Sequence, residues 1–301
     1  MFDTFDGRTT LFGIVSFVPA FLFILAFFLL PIAYVIYMSF LNAPLFSLET
    51  TWVGLQNYTQ IFADSLYWAS LKKGAIFALG SVALQMVLGI GFALALNQLK
   101  RKYFRSVAIT LAIIPYLIPT VIMALMWKWL LHPLHGVLNA YAVSFGLIPE
   151  PIDFFASVDL AMPMVVLANS WKFTAFVVLL VLARLQSIDE ALYEQAKISG
   201  ANLFQMFRTV TLPQLRSVIL IVILLRVIWM FNKFDVVWLL TRGGPLEATY
   251  TLPVYIYETV FSGYHMGVGA AASVTLFILL SVFGVLYFWL LQPSSELGTR
   301  R

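Results

Sequence analysis

The chain has 301 residues, of which 61% are hydrophobic, only 11% are charged and none is cysteine, and its mean hydropathy is +0.93. A soluble domain carries about 25% charged residues, so this composition excludes one and points to a helical protein that crosses a membrane several times. Without cysteine, thiol catalysis, disulfides and Cys-ligated metals are excluded, and the net charge of +4 matters by its placement rather than its size.

In chain order, the opening "MFDTFDGRTT" lacks a basic n-region and the apolar run after it is too long for a signal peptide, so the first segment reads as a retained helix. That run, Leu11–Phe40, exceeds the roughly 20 residues a bilayer needs, and Pro19 and Pro31 are places for a kink. "TWVGLQNYTQIFAD" comes next and suits a short amphipathic helix. Further spans are predicted at Ala75–Asn97, Ser106–Leu131, Leu160–Leu185, Ser217–Leu240 and Val268–Leu291, giving an all-α membrane protein of six helices in a single domain over residues 1–301. Gly243, Gly244 and Pro245 mark a turn between the last two spans. His132, His135 and His265 fall in loops and form no metal-ligand pattern.

Lys and Arg near the span ends set the orientation. With the N-terminus inside, Arg8, Lys100, Arg101, Lys102, Arg105, Arg184, Lys197, Arg208, Arg216, Arg300 and Arg301 lie on the cytoplasmic side, against Lys72, Lys73 and Arg242 outside. Both termini and residues 186–216 are therefore expected in the cytoplasm. Lys128, Lys172, Arg226 and Lys233 remain within spans.

The 186–216 loop is unusually polar and helix-prone. Ser187 is a plausible N-cap with Glu190 three residues on, as a capping box requires. Gly200 stops or bends that helix. A second short helix comes after it, with Leu203, Met206 and Phe207 at i, i+3 and i+4 as an apolar stripe, before Pro213 opens span five. From pattern alone the loop either covers helix ends or receives a partner.

Its spacing is more specific. Glu194-Gln195-Ala196, three residues, Gly200, nine residues and Val210-Thr211-Leu212-Pro213 resemble the "EAA" loop of ABC importer permeases, with Gln195 in place of the middle Ala and Val210 in place of Ile. "WVGLQNY", "NSWKFTAF" and "FNKFDVVWLLTRGGP" extend the resemblance over nearly the whole chain, to the maltose-permease-F-like type of the carbohydrate-uptake branch. The resemblance implies a type I permease fold in the inner membrane and a coupling helix seated in a cleft of a cytoplasmic ATPase. It implies that Glu194 pairs with a basic group there, that Ala196 and Gly200 permit close approach, and that Leu203 and Phe207 pack into the cleft. Gln195, Ala201, Leu212 and Pro213 complete the loop. No G-x-x-x-x-G-K-[S/T] phosphate loop occurs in the chain, so ATP and Mg are expected on a separate polypeptide, and this chain is expected to bind no cofactor and carry no catalytic residue.

Arg226 and Lys233 are seven apart on span five and share a helix face with Met230 between them; on a regular helix Asp235 lies roughly opposite and pairs easily with neither, and it equally suits an unwound region of span five or an adjoining subunit. The resemblance places the solute path on spans four and five. Arg226, Met230 and Lys233, with Asn169, Phe173 and Phe176 at i, i+4 and i+7 of span four, are the residues expected to line it. Aromatic faces with polar donors suit sugars, and two cations on one face extend that to an anionic sugar derivative. The plainer reading has Arg226 and Lys233 on another permease subunit or on backbone carbonyls. Lys128 is placed to snorkel, and Lys172 has no assigned role.

Expected partners are a second, homologous permease, two ATPase subunits, a periplasmic or lipid-anchored solute-binding protein, membrane lipid and a small-molecule solute, with no nucleic acid. The alternatives are an ion-coupled secondary transporter using Arg226, Lys233 and Asp235, and a membrane-embedded enzyme, for which the sequence offers no convergent nucleophile, metal or acid/base set.

Overall fold

The computed structural model describes residues 7–46, 49–99 and 101–291, and the side chains from residue 16 on. Lys100, Arg300, Arg301 and the Arg8 side chain, all used in the charge census, lie outside the described residues.

Among the described residues, five helical stretches are long and apolar enough to cross a bilayer: Ser16–Met38, Ser65–Gln98, Val158–Gln186, Leu203–Phe231 and Met266–Leu291. The first joins α1 (Gly7–Ile24) to α2 (Leu30–Met38) through a π-helical turn, Leu25–Leu29. Pro19 stays inside α1, and Pro31 falls at the start of α2.

The expected third span is divided. Two helices, α5 (Lys102–Leu117) and α6 (Thr120–Leu130), replace the single run 106–131 and meet at 96°; counted together they make a sixth span. Both Pro115 and Pro119 lie in this run. Pro115 is absorbed within α5, whereas Ile118, preceding Pro119, is extended at φ −68° and ψ 128°. The ring of a proline disfavours helical backbone at the residue before it.

Span five also differs from a regular helix. α11 (Leu212–Phe231) ends at Asn232, and α12 (Asp235–Thr241) restarts after it.

By contacts the chain forms two compact units. The first comprises Met1–Ser65 with Ile256–Leu279. In it β1 (Leu41–Asn42) pairs antiparallel with β2 (Thr51–Trp52), just before α3 (Gln56–Ala63). Asn57 Nδ2 donates to the carbonyls of Ser39 and Leu41, both at 2.9 Å. A side chain at Gly267 would collide with the Leu41 carbonyl, so the start of the last helix, α13 (Met266–Leu291), needs glycine there.

The second unit, Leu66–Tyr255 with Leu280–Arg301, holds α4 (from Ser65–Gln98), α5, α6, α7 (Val137–Ser144), α8 (Val158–Gln186), α9 (Glu190–Ile198), α10 (Leu203–Met206), α11 and α12. The most enclosed of its spans is α8, which packs on α5, α6, α11 and α12. A Cβ on Gly89 would meet Val177 at 2.6 Å, so α4 and α8 approach to backbone distance at that point. Along α8, one apolar cluster gathers at Met162, Val165 and Ala168, and a second at Val177, Val178, Val181, Leu182 and Leu185. Between them lie Asn169, Ser170, Lys172 and Thr174, all buried and all polar.

Candidate functional site

That polar stretch of α8 is the middle of a buried network. Asn169 Nδ2 donates to Ser81 Oγ at 3.0 Å and to Met230 Sδ at 3.0 Å. Ser170 Oγ reaches the Ser81 carbonyl at 3.3 Å. Arg226, only 1% exposed, donates from Nε to Gln85 Oε1 at 2.7 Å and from Nη2 to Met230 Sδ at 3.7 Å. Its guanidinium carbon sits 5.1 Å from the Phe173 ring centre, 5.8 Å from that of Phe176 and 5.6 Å from that of Trp229. A cation in a span costs about 2.5–3.5 kcal/mol on insertion scales. One charge-assisted hydrogen bond of roughly 1.5–3 kcal/mol and a cage of π-faces worth about 2 kcal/mol when desolvated offset that cost without neutralising it. The ion pairs Lys73–Glu247 and Lys233–Asp235 both exclude Arg226.

Beside this network lies a cleft of about 440 Å³ lined by Tyr116, Phe173, Arg226, Trp229, Met230, Asn232, Lys233, Phe234 and Asp235. Of the residues expected on the solute path, Phe173, Arg226, Met230 and Lys233 line it together. Asn169 is fully buried behind Met230. Phe176 packs edge-on against Trp229, at 5.1 Å between ring centres, and is not among the cleft residues. Tyr116, Trp229, Asn232 and Phe234 were not anticipated. Asn232, an ordinary C-cap type, was the signal for a break that would have brought the last two into view.

The break also corrects the reading of Asp235. On an unbroken helix it lies opposite Lys233; with the helix ended at Asn232, Lys233 Nζ and Asp235 Oδ1 stand 3.1 Å apart. Lys233 Nζ also lies 4.5 Å from the Phe173 ring centre. In these contacts neither Arg226 nor Lys233 is spent on a backbone carbonyl. That is the part taken by Lys172, whose Nζ donates to the carbonyls of Tyr116, at 3.2 Å, and Ile118. These carbonyls sit where α5 ends and Pro119 offers no N–H. In a bilayer core no water replaces the missing donor, and a lysine at a helix C-terminus suits both the free carbonyls and the dipole.

At the end of α8 the polar loop is locally determined. The N-cap of α9 is Asp189, whose carboxylate accepts from Ala191 N at 2.9 Å. Ser187, expected in that role, instead closes α8 and donates Oγ to the Arg184 carbonyl at 2.8 Å. The capping box falls one helix later, between Asn202 and Gln205. Gly200 has φ +76°; Gly200 N donates to the Lys197 carbonyl at 2.9 Å and Ala201 N to the Ala196 carbonyl at 3.0 Å. These are the paired bonds of a Schellman motif, so Ala196, Gly200 and Ala201 form one helix stop. The second short helix is not separate: α10, a π-helical turn Phe207–Thr211 and α11 run on as one rod from Leu203 to Phe231. Proline at 213 removes an N–H from this rod, and the π turn just before it shifts the register.

Tyr193 Oη and Thr211 Oγ1, 3.0 Å apart, tie α9 to the rod. Arg184 ties α8 to it through the backbone and side-chain oxygens of Gln214, at 2.9 and 2.8 Å. Glu194 and Gln195 are exposed. Of the expected stripe, Met206 is buried, Phe207 is half-buried and Leu203 is 80% exposed. Leu203 is joined by Ile198 at 88% and Phe204 at 71%, neither of which was anticipated. Leu212 and Pro213 are exposed at the start of α11.

Residues 85–293 match the family described as the inner membrane component of binding-protein-dependent transport systems. The chain is 33% identical over 275 residues to the trehalose/maltose transport system permease protein MalF of Thermococcus litoralis, covering 91% of this chain and 92% of that one. It is 30% identical over 290 residues to the sulfoquinovosyl glycerol transport system permease protein SmoG of Agrobacterium fabrum, covering 96% and 93%. Its fold superposes with a TM-score of 0.85, at 23% identity and over 96% of this chain and 98% of that one, on a chain of a bacterial ABC transporter involved in the import of the acidic polysaccharide alginate.

Proposed function

Since the chain belongs to the inner membrane components of binding-protein-dependent transport systems, we propose that it is the permease subunit of an ATP-driven importer for a carbohydrate or a related polar solute. The observation that carries this is the 190–215 loop. It sets Glu194 and the uncovered apolar side chains Ile198, Leu203 and Phe204 around a capped turn, between two spans, in a chain without a phosphate loop. An exposed apolar patch of this kind asks for a partner. The partner is a separate ATPase that uses ATP and Mg, two copies of it serving this permease and a second, homologous one. A solute-binding protein delivers solute from outside. ATP-driven closure moves the loop, and the spans alternate in access. Nothing in the geometry favours ion coupling: Lys233 and Asp235 neutralise each other.

The cleft supports a sugar, whose apolar ring face stacks on Phe173, Trp229 or Tyr116 while donors meet its hydroxyls. A second reading concerns charge. With Lys233 paired to Asp235, Arg226 leaves the cleft one net cation, its closest polar partner being the neutral Gln85. This favours an anionic sugar derivative. The relatives do not divide the two: one is named for trehalose and maltose, the other for a sulfonated glycoside, at similar identity. The test is uptake of neutral and sulfonated glycosides by reconstituted complexes carrying Arg226→Gln. An anionic solute requires a loss at least tenfold greater for the sulfonated glycoside; equal losses leave a neutral sugar.

A further inference from the structure

We propose that Lys172 is a positioning residue of the transport cycle, the latch through which α8 carries the broken span α5–α6. The proposal rests on the importer reading above. Lys172 is buried and stands in the middle of α8. Its ammonium holds two carbonyls, of Tyr116 and Ile118, on either side of the last residue of α5. The bend of 96° comes directly after them, and Pro119 has no N–H with which to bridge it. Of the two residues held, Tyr116 lines the cleft and meets Phe173, the neighbour of Lys172, edge-on at 6.0 Å between ring centres.

At its other end α8 runs without interruption to Gln186, and α9 begins at Glu190. From Lys172 to Gln186 the helix is a rod of about 21 Å at roughly 1.5 Å per residue. A displacement of the loop carried along this rod reaches the two free carbonyls of the corner through Lys172, beside the packing of α8 on α5 and α6. The corner is free to hinge because no helical bond crosses it, and Lys172 decides that it moves with α8. Spatial continuity alone would not make this a coupling path, so the test must read coupling.

The complete reconstituted complex is assayed for uptake and for ATP hydrolysis, each per assembled complex, with Lys172→Met, Lys172→Arg and Lys172→Gln. Loss of the latch is expected to lower solute imported per ATP at least tenfold in Lys172→Met and to raise KM, with hydrolysis retained. Lys172→Arg, which keeps charge and two donors, is expected to restore uptake to within threefold of the parent. If Lys172→Met does not assemble, Lys172→Gln is read on the same scale. Two results overturn the proposal: an unchanged ratio of uptake to hydrolysis at reduced assembly, which is a merely structural role, or an arginine variant no better than methionine. Failure of the unsubstituted complex to import any solute with ATP would instead overturn the importer reading.

Discussion

Gly200 separates two explanations of the loop. At φ +76° it occupies the left-handed region, which costs a residue with a Cβ about 1–2 kcal/mol. A Cβ built there meets nothing within 4 Å in this chain, so the strain is purely conformational. Gly200→Ala is expected to open the turn by a factor of about 5 to 30, the equivalent of one or two kcal/mol, without disturbing the spans. Asparagine tolerates the left-handed region far better than alanine. If the helix stop is what glycine supplies, Gly200→Asn retains more ATP-dependent uptake per assembled complex than Gly200→Ala. If glycine is there to let a partner surface approach, the larger asparagine is worse than alanine. Uptake ranked Ala above Asn would refute the intramolecular account of this position, and both variants matching the parent would refute either.

Phe204→Asp with Ile198→Asp places charge on the exposed apolar patch and touches no buried contact; it is expected to leave membrane insertion and thermal stability unchanged and to abolish co-purification of the ATPase, as checked by affinity pull-down from membranes. Gly89→Leu drives a side chain into Val177, where even a Cβ would stand at 2.6 Å. Overpacking of this kind costs about 1–3 kcal/mol, read as a lower midpoint of thermal unfolding in detergent and a lower yield of assembled complex. Asp189→Ala removes the cap of α9 at a cost of about 1 kcal/mol, whereas Ser187→Ala leaves α9 intact; helix-region amide exchange over residues 190–198 distinguishes them.

Sequence and structure agree where the signal is a long apolar run or the glycine stop at Gly200. Spans at 160–185 and 268–291 were legible because a helix that crosses a bilayer is long and apolar, and the loop because its helix formers, the stop at Gly200 and the spacing from Glu194 to Pro213 stand out between two apolar runs. Which of the possible breaks is real was not legible. Pro115 and Pro119 are four apart, and the sequence does not say that the first is absorbed while the second divides the helix; that depends on Lys172, 53 residues past Pro119, taking the freed carbonyls. Asp235 was misplaced for the same reason, since an angle counted along a regular helix has no meaning across Asn232. Exposure was also hidden. Leu203, Met206 and Phe207 have the spacing of a stripe, yet Leu203 is exposed where Met206 is buried, and the open apolar side chains Ile198, Leu203 and Phe204 come from two helices, which periodicity along one does not bring together.

The central claim is that this chain moves solute on work received through the 190–215 loop. The most direct measurement is solute uptake into proteoliposomes holding this chain, its second permease and the ATPase, with binding protein outside and ATP inside. Uptake should require ATP, survive collapse of ion gradients by ionophores, and be lost in Glu194→Arg with Gly200→Trp. Uptake that tracks an ion gradient without ATP, or that persists in the doubly substituted chain, would contradict the claim.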